Sequence, residues 1–292
     1  MVPAVRSFRN HADETGVQSA LNHRLLYGLY ACYSLIAALS LLPPMAFATD
    51  PPAHPTVASL KAESHSAATP LFVGEELFFE VRWMGLLAGN ASMAVSGQVS
   101  KDGHEVYHIR SLAESSPLFS LFYNVRDVGE TFIDRDGLFP WYFRLDQREG
   151  SRSSQRTVTF DQQRRVAIYT KNQHSPQEIK VPAGVHDSLS SFYILRTLPL
   201  RVGQAIHLNT FSNGKTYDVE VRVLRQEKLE THWGPVDTLV VQPLMRYEEI
   251  LRQKGDVLIW VTDDERRLPV RMKTAIKVGS IEATLIDVKD PQ

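Results

Sequence analysis

The sequence predicts an all-β protein, mostly antiparallel, built as one large curled sheet or as two tandem half-barrel-like units with one central helix. Three observations carry this. From Leu71 onward, apolar and polar residues alternate at period two. A single segment has helical spacing instead, and a pattern of Gly, Asp and Pro recurs on either side of it.

Taken in order, the chain opens on a leader. Residues 25–42 (LLYGLYACYSLIAALSLL) carry no charge, follow His23 and Arg24, and are closed by Pro43, Pro44 and the small residues Ala46 and Ala48. This is the layout of an export signal, with cleavage predicted after Ala48. The alternative is an uncleaved membrane anchor, because the apolar run approaches the ~20 residues that span a bilayer. Cys32 is the sole cysteine and lies within the leader. The apolar run continues past it, which argues against lipid attachment there. An exported chain that has lost Cys32 has no thiol chemistry, disulfide or cysteine metal site.

Residues 49–70 are rich in Pro, Ala, Ser and Thr, too poor in large apolar side chains to order themselves, and read as a linker. The β domain spans 71–289. Leu77, Phe79, Val81 and Trp83 share one strand face, and Val219, Val221 and Val223 alternate with Asp218, Glu220 and Arg222. Similar runs at 105–111, 157–160, 238–241, 257–261, 270–278 and 281–288 bring the expectation to about a dozen strands. The exception is 187–197. Asp187 is placed to cap a helix carrying Leu189, Phe192, Tyr193 and Arg196 before Pro199 stops it.

The repeat is the most informative feature. Gly74-Glu75-Glu76-Leu77 is followed by Asp134, Pro140, Gly150 and a strand ending at Asp161. Gly203-Gln204-Ala205-Ile206 is followed, at the same spacings, by Asp263, Pro269, Gly279 and a strand reaching Asp287. We read this as an internal duplication, 74–161 and 203–287, joined by 162–202 carrying the helix; ordinary hairpin spacing is the competing explanation. A sheet this wide must curl or close to protect its edges, and a helix across its concave face would cap a cavity.

Composition narrows the chemistry. The net charge is -1, and no run of Lys and Arg offers a nucleic-acid footprint. There is no G-x-S-x-G, H-E-x-x-H, P-loop or G-x-G-x-x-G. The carboxylate clusters Asp134-Arg135-Asp136 and Asp263-Asp264-Glu265 fall where hairpin turns want Asp and Gly, so a turn is the plainer reading than a metal site. His186-Asp187-Ser188 places three catalytic residue types in a row. A triad converges from separated parts of a fold, and helix capping by Asp187 explains the same residues. We therefore expect no catalytic residues, no metal and no cofactor. Residues 117–123 (PLFSLFY) combine large apolar side chains with no charge, reading as core, lid or membrane-touching loop; the corresponding 243–250 (PLMRYEEI) is charged.

The segments Gly74-Glu75-x-Leu77-x-Phe79-x-Val81, Asp187-Ser188-Leu189-Ser190-Ser191-Phe192-Tyr193-x-Leu195-Arg196, and Trp260-x-x-Asp263-Asp264 with Leu268-Pro269-Val270-Arg271 resemble the secreted bacterial family catalogued as domain of unknown function 3108. The resemblance covers about 71–287. It implies a bacterial envelope protein exported to the periplasm, and it carries no catalytic residues across.

The expected function is accordingly non-catalytic: a periplasmic protein holding an apolar or amphiphilic ligand, such as a lipid, glycolipid or lipidated segment, in a β concavity. Trp83, Phe119, Phe122, Trp141 and Trp260 are the candidate lining residues. An envelope scaffold that binds a protein partner is the alternative. A glycan hydrolase, which needs two facing carboxylates in a cleft, ranks below both.

Overall fold

The structure is a computed structural model that describes residues 71–290, apart from Asp102, Glu248, Glu249, 252–256 and Lys277. The export signal, its cleavage point, Cys32 and the linker all lie outside the described residues. In chain order the elements are β1 (Glu76–Trp83), β2 (Leu86–Lys101), β3 (His104–Ser115), α1 (Pro117–Ser120), β4 (Val125–Asp134), β5 (Pro140–Glu149), β6 (Arg152–Asp161), β7 (Val166–Lys171) and β8 (Gln177–Lys180). There follow α2 (Ser188–Thr197), β9 (Ala205–Ser212), β10 (Lys215–Thr231), β11 (Gly234–Tyr247), β12 (Ile250–Leu251), β13 (Leu258–Thr262), β14 (Pro269–Ala275) and β15 (Ser280–Lys289).

All fifteen strands belong to one antiparallel sheet, in the order β8-β7-β6-β5-β4-β3-β2-β1-β15-β14-β13-β11-β10-β9, with β12 paired to β11. The first half is a meander that runs outward from β1. The second starts at the far edge with β9 and works back until β15 pairs with β1. The two edges are brought together by side chains: Tyr169 on β7 and Phe160 on β6 both meet the Phe211 ring on β9, at 6.0 and 5.9 Å. The chain at His186 also pairs with β9 and covers part of its edge. The all-β prediction thus takes its one-sheet form.

Strand alternation decides which side chains enter. Leu77, Phe79 and Val81 of β1, Tyr107 and Ile109 of β3, Phe143 and Leu145 of β5, and Val158 and Phe160 of β6 are buried in one continuous core with Val219, Val221, Val241, Met272, Ile281 and Leu285. Each large buried side chain contributes roughly 1.5–3 kcal/mol.

The two meanders repeat one plan. β1 to β6 correspond in order to β9, β10, β11, β13, β14 and β15. Gly74 N donates to Val95 O and Val95 N to Glu75 O; Gly203 N donates to Val223 O and Val223 N to Gln204 O. A bulge interrupts β2–β3 after Val95 and β10–β11 after Val223. Another places Pro140 opposite Ile133 and Pro269 opposite Val261, where a missing N–H is tolerated. The turns Met84-Gly85 and Asn213-Gly214 are left-handed at both residues, the backbone that a two-residue hairpin requires. The intervening segment, expected to hold a helix alone, also carries β7 and β8.

α2 begins at the predicted residue. The Asp187 carboxylate accepts from Leu189 N (2.8 Å) and Ser190 N (2.9 Å), while Ser190 Oγ accepts from Asp187 N (2.9 Å). Its position differs from expectation, since it does not cap a concave face. It lies inside the curled sheet between β4 and β9, with Thr131 Oγ1 donating to Asp187 (2.7 Å) and Ser191 bonded to Thr210 (2.7 Å). Small serines on the helix allow this approach; Gly129 on β4 faces Leu189 of α2 and Ser111 of β3, and a side chain there would meet Ser111 Oγ at 2.6 Å. At its C-terminal end Arg196 pairs with buried Glu75 at 2.7 Å, and Arg266 joins them at 3.1 Å. We call this the helix end. The opposite end, with the β1–β2, β3–β4, β5–β6 and β9–β10 connections, is the rim end.

Candidate functional site

The rim is built from two neighbouring connections. Ser116 caps α1 by accepting from Phe119 N (3.3 Å), with Pro117 preset for the first turn. Its own N–H donates to Ala88 O (2.8 Å) and its hydroxyl to Leu87 O, so the helix is fastened to β2. Leu118 of the short helix and Leu121 and Phe122 just beyond it are exposed to solvent, Phe122 at 84%. Met84, Leu86 and Leu87 at the β1–β2 turn are exposed too. Exposed apolar side chains scattered singly need no explanation, whereas a cluster on two adjoining connections does.

Beside the rim, on the outer face of β3 to β6, is a groove of about 910 Å³ lined by Arg110, Arg126, Arg144, Arg148, Asp146 and His174 among others. Arg110 pairs with Glu130 (3.2 Å) and Arg144 with Asp146 (2.8 Å).

On the inner face of the same strands sits a buried polar cluster. Asp127 accepts from Gln147 Nε2 (3.0 Å) and Arg148 N (3.1 Å), and Arg156 donates to Gln147 Oε1 and to Tyr169. Glu149 hydrogen-bonds Asp127. Burial, reinforced by the Asp127 charge, pushes Glu149 from 4.5 up to about 7, and burial raises Asp127 as well despite its hydrogen bonds. Burial lowers Arg156. Two buried carboxyls side by side thus favour a single proton held between them.

The five predicted lining residues do not converge. Trp83 and Phe119 meet edge-to-face at 6.2 Å under the rim, where Trp83 Nε1 donates to Val278 O (2.9 Å). Phe122 is on the surface of the same rim. Trp141 is near the helix end, donating to Asp134 (3.1 Å) and stacked on His104 at 3.8 Å. Trp260 is buried in the core. Register explains the split: the bulge opposite Ile133 leaves Trp141 beside Asp134 and His104, while Trp260 stands opposite Arg271, on the face away from Ile259 and Met272, with Arg271 over its ring at 6.0 Å. None of the five lines the groove or the small buried pocket at Tyr193, which has room for one water (about 10 Å³).

The other sequence features take structural places. Asp134 accepts from Asp136 N and Gly137 N, and Asp264 from Arg266 N and Arg267 N, so both carboxylates close turns. Among the described residues no group of three or more His, Cys, Asp or Glu side chains is placed to hold a metal ion. His186 is buried, which lowers it to about 4 and keeps it neutral. Sequence reasoning missed Arg126, Asp127, Gln147, Arg148, Glu149 and Arg156. The available signal was parity: Asp127 shares a face with Val125, Gly129, Thr131 and Ile133.

A single antiparallel sheet curled around a helix defines a β-barrel-like protein. Residues 79–286 match the family described as Protein of unknown function (DUF3108), and the chain belongs to that family. In fold it is similar to a crystal structure from Brucella abortus, a β-barrel-like protein of domain of unknown function DUF1849. That match has 9% identity and a TM-score of 0.52 over 75% of this chain and 98% of the other. Weaker likenesses are to a protein described as a lipoprotein from Parabacteroides distasonis (12% identity, TM-score 0.35, 75% and 97% covered) and one described as exported, with a YmcC-like fold, from Bacteroides fragilis (12%, 0.31, 76% and 99%). No curated protein matches the chain.

Proposed function

We propose that this is an exported, non-catalytic protein of the bacterial cell envelope that binds an amphiphile, a lipid, glycolipid or lipidated segment, at the rim end. The observation that carries this reading is the cluster Met84, Leu86, Leu87, Leu118, Leu121 and Phe122 on two adjoining connections beside a polar groove. One surface there meets acyl chains and the other a headgroup. The core and α2 fill the helix-end interior, so the ligand site moves from the concavity to the rim. Placement in the periplasm rests on the leader ending at Ala48.

The test is native mass spectrometry of the protein, expressed with its leader and recovered from a bacterial periplasm without detergent, followed by organic extraction. A stoichiometric lipid adduct is expected, lost in Leu121→Asp/Phe122→Asp. An unliganded mass that persists after incubation with envelope lipids overturns the proposal and favours the protein-scaffold reading.

A further inference from the structure

The groove beside the rim contains an unusual cross-strand pair. β4 and β5 run antiparallel with Arg126 directly opposite Arg148. Both face outward, and like charges in directly opposed positions repel and destabilise a sheet. The arginines further from the rim are neutralised, Arg110 by Glu130 and Arg144 by Asp146. This pair is neutralised on one side only: Glu114, directly opposite Arg126 on β3, pairs with it loosely at 3.8 Å with both side chains half exposed, and Arg148 has no ion-pair partner among the described residues.

Its position gives the arrangement a direction. Arg126 lies three residues beyond Tyr123 at the end of the apolar connection. Gly150, two residues beyond Arg148, donates its N–H to Asn124 O at 2.7 Å, tying the β5–β6 turn to that same connection. The two guanidinium groups therefore occupy the outward-facing rung adjoining Leu118, Leu121 and Phe122. A bound anion would relieve their repulsion, and the planar guanidinium fork matches a phosphate with two parallel hydrogen bonds. Ser153, Gln155, Asn172 and His174 line the same groove and supply further polar groups.

We propose that Arg126 and Arg148 form a headgroup subsite for the phosphate of an anionic phospholipid, whose acyl part rests on the α1 rim. This rests on the amphiphile reading above and specifies the headgroup class.

The experiment is co-sedimentation of the protein with vesicles of phosphatidylcholine alone and of phosphatidylcholine with phosphatidylglycerol, at low and high salt. Wild type is expected to prefer the anionic vesicles, and Arg126→Gln/Arg148→Gln to weaken that binding about 30-fold while leaving phosphatidylcholine binding unchanged. Arg165→Gln/Arg201→Gln removes equal charge at the helix end and is expected to leave both unchanged. The thermal midpoint of each variant, expected to stay within a few degrees, separates loss of the subsite from loss of the fold. The headgroup proposal is overturned if wild type shows no anionic preference, if Arg126→Gln/Arg148→Gln retains it, or if millimolar inorganic phosphate alone displaces the protein from vesicles. Binding to both vesicle types without preference sinks the headgroup subsite and spares the amphiphile reading; no binding to either, together with an empty lipid extract, sinks both.

Discussion

The two meanders follow one plan and fill it differently at the rim end. Five residues beyond Pro140 stands Leu145, opposite Arg156; five beyond Pro269 stands Thr274, opposite Ile281. Two further along, Gln147 corresponds to Ile276, and two beyond that Glu149 corresponds to Val278. A buried acid, amide and guanidinium in one half thus face valine and isoleucines in the other. The same contrast, reversed in consequence, occurs at the strand entries, where buried Glu75 matches exposed Gln204. Since one half folds without these charges, the plan itself does not demand them.

The largest expected effect sharpens the contrast at the strand entries. Glu75→Ala leaves Arg196 buried beside an apolar gap and is expected to cost about 3–5 kcal/mol in urea unfolding. Gln204→Ala, at the matching position, is expected to change stability by less than about 0.5 kcal/mol. Equal effects would break the comparison.

Next comes a transplant. Replacing the cluster by second-half residues, Gln147→Ile, Glu149→Val and Arg156→Ile, with Asp127→Leu to avoid an orphaned acid, is expected to stabilise the fold by about 1–4 kcal/mol. Unfolding of this variant at lower urea than wild type would mean that the charged interior is structural.

The third prediction concerns pH. The Glu149 carboxyl is held protonated by the fold, so its contribution to stability is complete below its ordinary value of 4.5 and is lost as pH rises through about 7. Glu149→Gln is expected to flatten that slope and to exceed wild type by about 2 kcal/mol at pH 8. Chemical denaturation at pH 5 and pH 8 checks it, and a wild type equally stable at both would refute the assignment.

A smaller effect is expected at the rim. Leu121→Asp/Phe122→Asp removes exposed apolar surface that contributes little to the core, so its urea midpoint should shift by less than about 0.5 kcal/mol while lipid retention is lost. A large destabilisation would show that α1 is core rather than a contact surface.

Much of this architecture was legible in local sequence. Alternation marked most of the strands, Asp187 marked the start of α2 to the residue, and Asp134 and Asp264 read correctly as turn residues. The readings that failed were those needing to know which way a strand faces. The tryptophans and phenylalanines were grouped by type, yet Trp141 sits at a bulge, Trp260 shares a face with Arg271 rather than with Ile259 and Met272, and Phe122 sits on a connection with no parity at all. The functional candidates that emerged are charged residues, invisible as a group because Asp127 and Arg148 are twenty-one residues apart and meet only through strand pairing.

By itself the sequence determined the class of fold, the helix and the turns, because these depend on period, capping and backbone sterics within a few residues. Tertiary structure alone decided that α2 enters the sheet, that Arg126 stands opposite Arg148, and that apolar side chains gather at one rim. Those depend on strand register and on the curl of the sheet, which are set by long-range packing. A shift of one residue in register would have reversed every face.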